Sequence, residues 1–122
     1  MPKTILIADD NEDLRSLLAY QLTARGYQIL TATDGAEAVA KCRAEKPDLV
    51  LLDVLMPGKD GSEAGAELRD DPTTKDIPVI FLTALVSGAE GEGAAPIGGR
   101  ITVPKSTTLE NLIHKIEIAL RK

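Results

Sequence analysis

The sequence predicts an α/β fold, a doubly wound five-stranded parallel sheet with helices on both faces. Short apolar runs without a polar alternation recur along the chain, and this pattern is typical of strands that are buried on both faces. Segments with apolar residues at helical spacing lie between these runs. Strands and helices that alternate in this way favour parallel strands joined by right-handed crossovers.

The composition favours one acidic domain over residues 1–122. The net charge is −5 and the basic residues are scattered along the chain, so direct binding to nucleic acid is not expected. The single cysteine, Cys42, cannot form an internal disulfide. The sequence has neither a signal segment nor an apolar run long enough to span a bilayer, so we expect a cytoplasmic protein without a membrane contact.

The first predicted strand, residues 4–8, runs directly into a group of acids that begins with Asp9 and Asp10. Leucines at helical spacing follow these acids and predict the first helix, for which Gly26 is a typical terminator. Residues 27–32 alternate weakly and suit a second strand.

The central strand is predicted between a second helix and a loop rich in turn residues. Asp34 and Glu37 have the spacing of a capping box, which predicts a helix to about Glu45 that Pro47 terminates. The apolar run that follows, residues 49–53, ends in an aspartate. Because this run is too short for a buried helix, we predict a strand covered on both faces.

The second half of the chain contains the weakest prediction. Ser62 is expected to cap a third helix to about Arg69, and residues 77–83 form the fourth strand. Residues 87–99 carry five of the ten glycines, so a fourth helix there is expected to be short or frayed. Residues 100–103 form a brief fifth strand.

A second capping box, formed by Thr107 and Glu110, predicts the last helix. Counting 100° per residue from Leu109 places Ile118 opposite the apolar stripe, so we expect Ile118 to face solvent. A lone exposed isoleucine is commonplace. The functional alternative is a contact with a partner or a second copy of the chain through the last helix.

Polar residues end four of the predicted strands, whose carboxyl ends share one edge of such a sheet: Asp9, Asp10, Asp53, Thr83 and Lys105. Three converging carboxylates either raise a pKa or bind a cation, and Mg²⁺ is the simpler solution. Lys105 and the Thr83 hydroxyl could hold phosphoryl oxygens. Together these groups describe a phosphoryl-transfer site with Asp53 as the covalent acceptor. The alternative is that Asp53 only caps the following turn.

An ordered set of motifs resembles the receiver domain of two-component response regulators. The motifs are Asp9-Asp10, Leu-Leu-Asp53-x-x-Met56-Pro57-x-x-Asp60-Gly61, Thr83-Ala84 and Lys105. The resemblance covers nearly the whole chain and implies the flavodoxin-like, CheY-like strand order 2-1-3-4-5. It also implies a phosphorelay protein that is not an enzyme in the ordinary sense but promotes its own phosphorylation and dephosphorylation.

The resemblance assigns roles to the acidic residues. Asp53 would accept a phosphoryl group from a phosphohistidine on a sensor histidine kinase or a phosphotransfer protein. Asp10 and Asp53, with the main-chain carbonyl of Leu55, would ligate Mg²⁺, and Asp9 would act largely through water.

The same resemblance implies that Thr83 and Lys105 bind the phosphoryl oxygens. The sequence departs from the family pattern nearby, because proline 104 precedes Lys105 where the family usually has lysine before proline. Thr102 stands where an aromatic switch residue is usual, and the glycine-rich segment 87–99 replaces the usual fourth helix. We therefore expect output to the downstream partner, which the sequence does not name, to differ from the common threonine–aromatic coupling.

Leu55 and Leu85 flank the path expected for an attacking water, and neither can orient it, so we predict slow hydrolysis of the aspartyl phosphate. A phosphatase of the haloacid dehalogenase type would need an acid where Leu55 stands. The remaining alternative is a pseudo-receiver, a protein-interaction module that is not phosphorylated. The chain is either a stand-alone receiver or part of a longer protein.

Overall fold

The chain is described by a computed structural model that covers residues 2–53, 61–83, 101–104 and 108–121. Its strands are β1 (Thr4–Ala8), β2 (Gln28–Ala32), β3 (Leu49–Asp53), β4 (Val79–Thr83) and β5 (Ile101–Pro104). They form one five-stranded parallel sheet in the order β2-β1-β3-β4-β5. The predicted fold class and strand order are confirmed.

Helices connect the strands on both faces of the sheet. The helices within the described ranges are α1 (Glu12–Ala24), α2 (Gly35–Glu45), α3 (Gly61–Asp70) and α4 (Leu109–Leu120). The short helix predicted within 87–99 lies outside the described residues. None of the helices in these ranges has the length and apolar character that crossing a membrane requires.

Two apolar clusters cover the two faces of the sheet. Val50 and Leu52 of the central strand pack with residues of α2 and α3, whereas Leu49 and Leu51 pack with residues of α1 and α4. All four of these side chains are fully buried, and each contributes roughly 2 kcal/mol through the apolar surface that it buries. Burial on both faces therefore explains why β3 lacks a polar alternation.

The predicted ends of α1 and α2 agree with the structure. Gly26 follows α1 with a φ of 96°, a left-handed conformation that favours glycine. The Asp34 side chain caps α2 and accepts a hydrogen bond from the Glu37 backbone N–H at 2.8 Å. The Glu37 carboxylate accepts from the backbone N–H of Thr33 at 2.8 Å, one residue earlier than an ideal capping box requires.

Several predicted element ends were wrong by one or two residues. Gly61 begins α3, so Ser62, the predicted cap residue, lies inside the helix. Thr108 caps α4 in place of Thr107, because its hydroxyl accepts from the Asn111 backbone N–H at 3.1 Å.

The third correction concerns the start of β4, which begins at Val79 and not at residue 77. The Ile77 backbone N–H donates to the Thr74 carbonyl at 3.0 Å, so Ile77 still belongs to the preceding turn. The strand β2 begins one residue later than predicted, whereas the predicted start of β5 at residue 100 lies outside the described residues. Local hydrogen bonds of this kind override the apolar pattern at the ends of elements.

The prediction that Ile118 faces solvent was wrong, because Ile118 is half-buried. The fully buried residues of α4 are Leu112, Ile113, Ile116 and Ala119. Leu109, from which the helical angles were counted, is only half-buried. The buried face of the helix is therefore not centred on Leu109. The exposed side of the helix is carried by Glu110, His114 and Glu117.

Candidate functional site

The carboxyl ends of β1 and β3 bring Asp9 and Asp53 side by side. The two strands are hydrogen-bonded neighbours in which Ala8 lies opposite Leu52. Asp9 follows Ala8 and Asp53 follows Leu52, and neighbouring strands lie about 4.8 Å apart. The sheet thus joins two residues that are far apart in the sequence.

Three carboxylates meet at this edge of the sheet. Asp9, Asp10 and Asp53 each offer an oxygen, and these oxygens all lie within 4.8 Å of one another. Asp9 and Asp53 are 0% and 2% exposed, whereas Asp10 is exposed to solvent. We call these three residues the acidic cluster. Their convergence follows the sequence expectation, while their chemical roles remain predictions.

The donor set of the acidic cluster fits a magnesium ion. Carboxylate oxygens are the hard ligands that Mg²⁺ prefers, and the ion usually keeps several waters beside one or two carboxylates. A solvent-exposed acid next to two buried ones matches this requirement. A divalent cation would also offset the repulsion among three negative charges at this spacing.

Asp9 is held by hydrogen bonds from three directions. Its backbone N–H donates to the Ala32 carbonyl at 3.1 Å, and its carboxylate accepts from the Asn11 backbone N–H at 2.8 Å. Its main-chain carbonyl accepts from the Arg15 guanidinium at 2.8 Å. Asn11 also caps α1 through its side chain. The turn from β1 into α1 is therefore determined by the same residues that present the acids.

Arg15 was missed by the sequence analysis. Its only signal in the sequence is a basic residue four positions after the helix cap Asn11, in a helix that begins inside an acidic loop. Such a position is commonplace on exposed helix faces. Only the folded chain shows that the guanidinium turns back onto Asp9.

Thr83 and Lys105 belong to the neighbouring strands. Thr83 is the last residue of β4, in which Leu82 lies opposite Asp53. Lys105 directly follows Pro104, the residue of β5 that lies opposite Thr83. Lys105 itself and Leu55 lie outside the described residues. The predicted roles of Thr83, Lys105 and Leu55 therefore stay predictions.

Cys42 and Asp71, which have shifted pKa values, both lie outside the acidic cluster. Burial in α2 raises the pKa of the Cys42 thiol to about 12, so this cysteine is an unreactive packing residue. The Thr73 backbone N–H and the Arg43 side chain lower the pKa of Asp71 to about 2. The Arg43 Nε donates to the Asp71 carboxylate at 2.6 Å and thereby ties α2 to the turn after α3.

A family model for the response regulator receiver domain matches residues 5–117. The chain belongs to this family. This receiver domain is 48% identical over 85 residues to the response regulator PleD of Caulobacter vibrioides, a match that covers 70% of this chain and 19% of PleD. It is 37% identical over 122 residues to the response regulator MprA of Mycolicibacterium vanbaalenii, with 100% of this chain and 52% of MprA covered. The chain thus spans about half the length of MprA and less of PleD.

The receiver domain also resembles solved structures over almost its whole length. The response regulator TrrA of Thermotoga maritima, solved in complex with Mg²⁺-BeF, shares 35% sequence identity with a TM-score of 0.83. That similarity covers 96% of this chain and 98% of the TrrA chain. This family is that of two-component signalling, which agrees with the resemblance inferred from the sequence motifs.

Proposed function

We propose that this receiver domain accepts a phosphoryl group on Asp53 in a reaction that depends on Mg²⁺. The observation that supports the proposal is the meeting of three carboxylate oxygens within 4.8 Å at the end of the central strand. Asp53 is the last residue of β3, so the sheet holds its carboxylate in place. The donor would be a phosphohistidine on a sensor histidine kinase or a phosphotransfer protein.

The transfer exchanges one bond to phosphorus for another. A carboxylate oxygen of Asp53 attacks the phosphorus atom, an oxygen–phosphorus bond forms, and the bond between phosphorus and the histidine nitrogen breaks. The leaving imidazole takes up a proton from solvent. The chain in this way promotes its own phosphorylation without turning over a substrate, so we do not class it as an ordinary enzyme.

The acidic cluster would hold the ion for this step. Asp10, Asp53 and the main-chain carbonyl of Leu55 would be ligands, and Asp9 would act through water. When bound, magnesium supplies positive charge that offsets the charge on the phosphoryl oxygens. Asp9 is suited to orient a water because its carboxylate is fully buried and is oriented by the Asn11 backbone N–H.

Thr83 and Lys105 would bind the remaining phosphoryl oxygens. A hydroxyl donor and an ammonium group stabilise the negative charge that such a transfer spreads over these oxygens. The pairing of β4 with β3 and β5 supports this role, because it brings the backbone at Thr83 beside the strand that ends in Asp53.

The aspartyl phosphate is expected to hydrolyse slowly. Leu55 and Leu85 are apolar, and a polar side chain at either position could orient the attacking water. We expect Leu55→Asn to raise the hydrolysis rate severalfold, which loss of phosphorylated mass over time would measure. An unchanged rate would contradict this explanation.

The downstream partner is a protein whose identity the sequence does not name. A homodimer through α4 remains a prediction, and the half-buried Ile118 offers less apolar surface for it than the sequence indicated. Ile118→Glu tests this contact by sedimentation, with Glu117→Gln as the exposed control on the same helix. A parent protein that sediments with the mass of a monomer at every concentration would contradict the dimer.

Acetyl phosphate, a small phosphoryl donor, tests the proposed reaction without knowledge of the kinase. We expect one phosphoryl adduct in the intact mass of the parent protein, and only with Mg²⁺ present. Asp53→Asn keeps the size of the side chain and should show no adduct. Asp70→Asn, a matched change of an exposed aspartate in α3, should keep the adduct.

An adduct that persists in Asp53→Asn would place the acceptor elsewhere and refute the proposal. The absence of any adduct in the parent protein, with Mg²⁺ binding demonstrated, would favour the pseudo-receiver. Thr102 and the proline before Lys105 are the sequence features that favour this second candidate.

A further inference from the structure

The Arg15 side chain connects the body of α1 to the acidic cluster. Arg15 is the fourth residue of α1, and its backbone N–H donates to the Asn11 carbonyl at 3.0 Å. Its half-buried side chain turns back, and Nη1 donates to the Asp9 main-chain carbonyl at 2.8 Å. That carbonyl belongs to the peptide group that joins Asp9 to Asp10.

The position of this peptide group determines where the Asp10 carboxylate lies. Asp9 is anchored to β2 through its backbone and to the α1 cap through its carboxylate. Asp10 is exposed, so few neighbouring side chains restrain it. The position of its carboxylate therefore depends mainly on the path of the main chain. Rotation of the Asp9–Asp10 peptide would carry the Asp10 oxygen away from Asp9 and Asp53.

We infer that Arg15 is a positioning residue for the magnesium site. Its guanidinium fixes the Asp9–Asp10 peptide and so holds the Asp10 carboxylate within reach of the ion. A preorganised set of ligands binds more tightly because less conformational freedom is lost on binding. This inference rests on the proposed magnesium-dependent function.

The charge of Arg15 makes the inference easy to test. A guanidinium near the site repels a cation, so a purely electrostatic effect predicts tighter Mg²⁺ binding when the charge is removed. A positioning effect predicts weaker binding, because loss of a group that orients a metal ligand commonly costs about 10- to 100-fold in affinity. The two explanations therefore differ in sign.

Isothermal titration calorimetry with Mg²⁺ measures the difference directly. We expect Arg15→Met, which keeps the bulk of the side chain without its donors, to raise the Kd about tenfold. Arg15→Lys keeps the charge and an N–H donor group without the planar guanidinium, and it should raise the Kd by roughly threefold. Arg25→Met removes the same charge from the exposed end of α1 and should leave the Kd unchanged.

A second measurement separates binding from the transfer step. In the acetyl phosphate reaction, Arg15→Met should raise the Mg²⁺ concentration for half-maximal rate and leave the rate at saturating Mg²⁺ nearly unchanged. A general loss of structure would also lower the rate at saturating Mg²⁺, and thermal unfolding shows whether the variant is folded. If Arg15→Met does not fold, an unchanged Kd in Arg15→Lys would overturn the inference.

The outcomes distinguish this inference from the proposed function. A parent protein that binds no Mg²⁺ would refute the magnesium-dependent function itself. A parent protein that binds Mg²⁺, with Arg15→Met binding it equally or more tightly, would refute only the positioning role of Arg15.

Discussion

Two aspartate sites in this receiver domain use the same side chain in opposite ways. At the turn before β4, hydrogen bonds from the Thr73 backbone and the Arg43 side chain favour the charged form of Asp71. At the other end of the sheet, Asp9 and Asp53 are buried beside Asp10, with three carboxylate oxygens within 4.8 Å. The first site pairs one carboxylate with a guanidinium, whereas the second brings three carboxylates together.

Under the proposed function, the difference separates a structural acid from a metal-binding one. Asp71 is satisfied by a cation and N–H donors that the chain supplies, and it joins α2 to the turn after α3. The acidic cluster instead gathers like charges, which costs stability unless a cation binds. An opposite charge beside Asp71 and like charges beside Asp53 therefore agree with a structural role for the first and the proposed metal-binding role for the second.

Magnesium affinity should show the largest contrast between the two sites. Asp10→Asn removes a charged oxygen from the acidic cluster, so we expect its Kd for Mg²⁺ to rise by about tenfold or more. Asp71→Asn should leave the Kd unchanged, because this residue lies at the opposite end of the sheet. Isothermal titration calorimetry measures the Kd of both variants. A similar loss of Mg²⁺ affinity in the two would contradict the difference between the two sites.

Substitutions at the two aspartate sites should change the stability of the metal-free protein in opposite directions. Asp53→Asn removes one of three neighbouring charges, and we expect it to raise the free energy of unfolding in EDTA by on the order of 1 kcal/mol. Asp71→Asn should lower it, because the charge-assisted hydrogen bond to Arg43 is lost. Urea unfolding near neutral pH gives both values. A loss of stability in Asp53→Asn would show that repulsion in the cluster is not the dominant effect.

The pH dependence of stability should show the smallest effect. Hydrogen bonds lower the pKa of Asp71 from 3.8 to about 2, so its contribution is fully present above pH 3.8 and is lost as the pH falls towards 2. Asp71→Asn should accordingly flatten the decline in stability over this range, measured by thermal unfolding at a series of pH values. Asp70→Asn is the exposed control. Parallel declines in both variants and the parent would contradict the assignment.

The strands and helices could be predicted because their signals are local. The apolar runs, the Asp34 cap and Gly26 each act within a few residues, and the structure confirms the elements that they indicate. The wrong cap at Thr107 arose because the adjacent residues Thr107 and Thr108 each offer a capping hydroxyl. Only the main-chain path selects between them.

The sequence by itself determined the type and order of the elements and the residues at the carboxyl end of each strand. Only the tertiary structure decided that the oxygens of Asp9 and Asp53 lie within 4.8 Å, that Arg15 holds the main chain of Asp9, and that Arg43 neutralises Asp71. The physical reason is the distance along the sequence between the residues that interact. Helix caps and strand patterns depend on neighbouring residues, whereas these contacts need strand pairing and helix packing between distant segments of the chain.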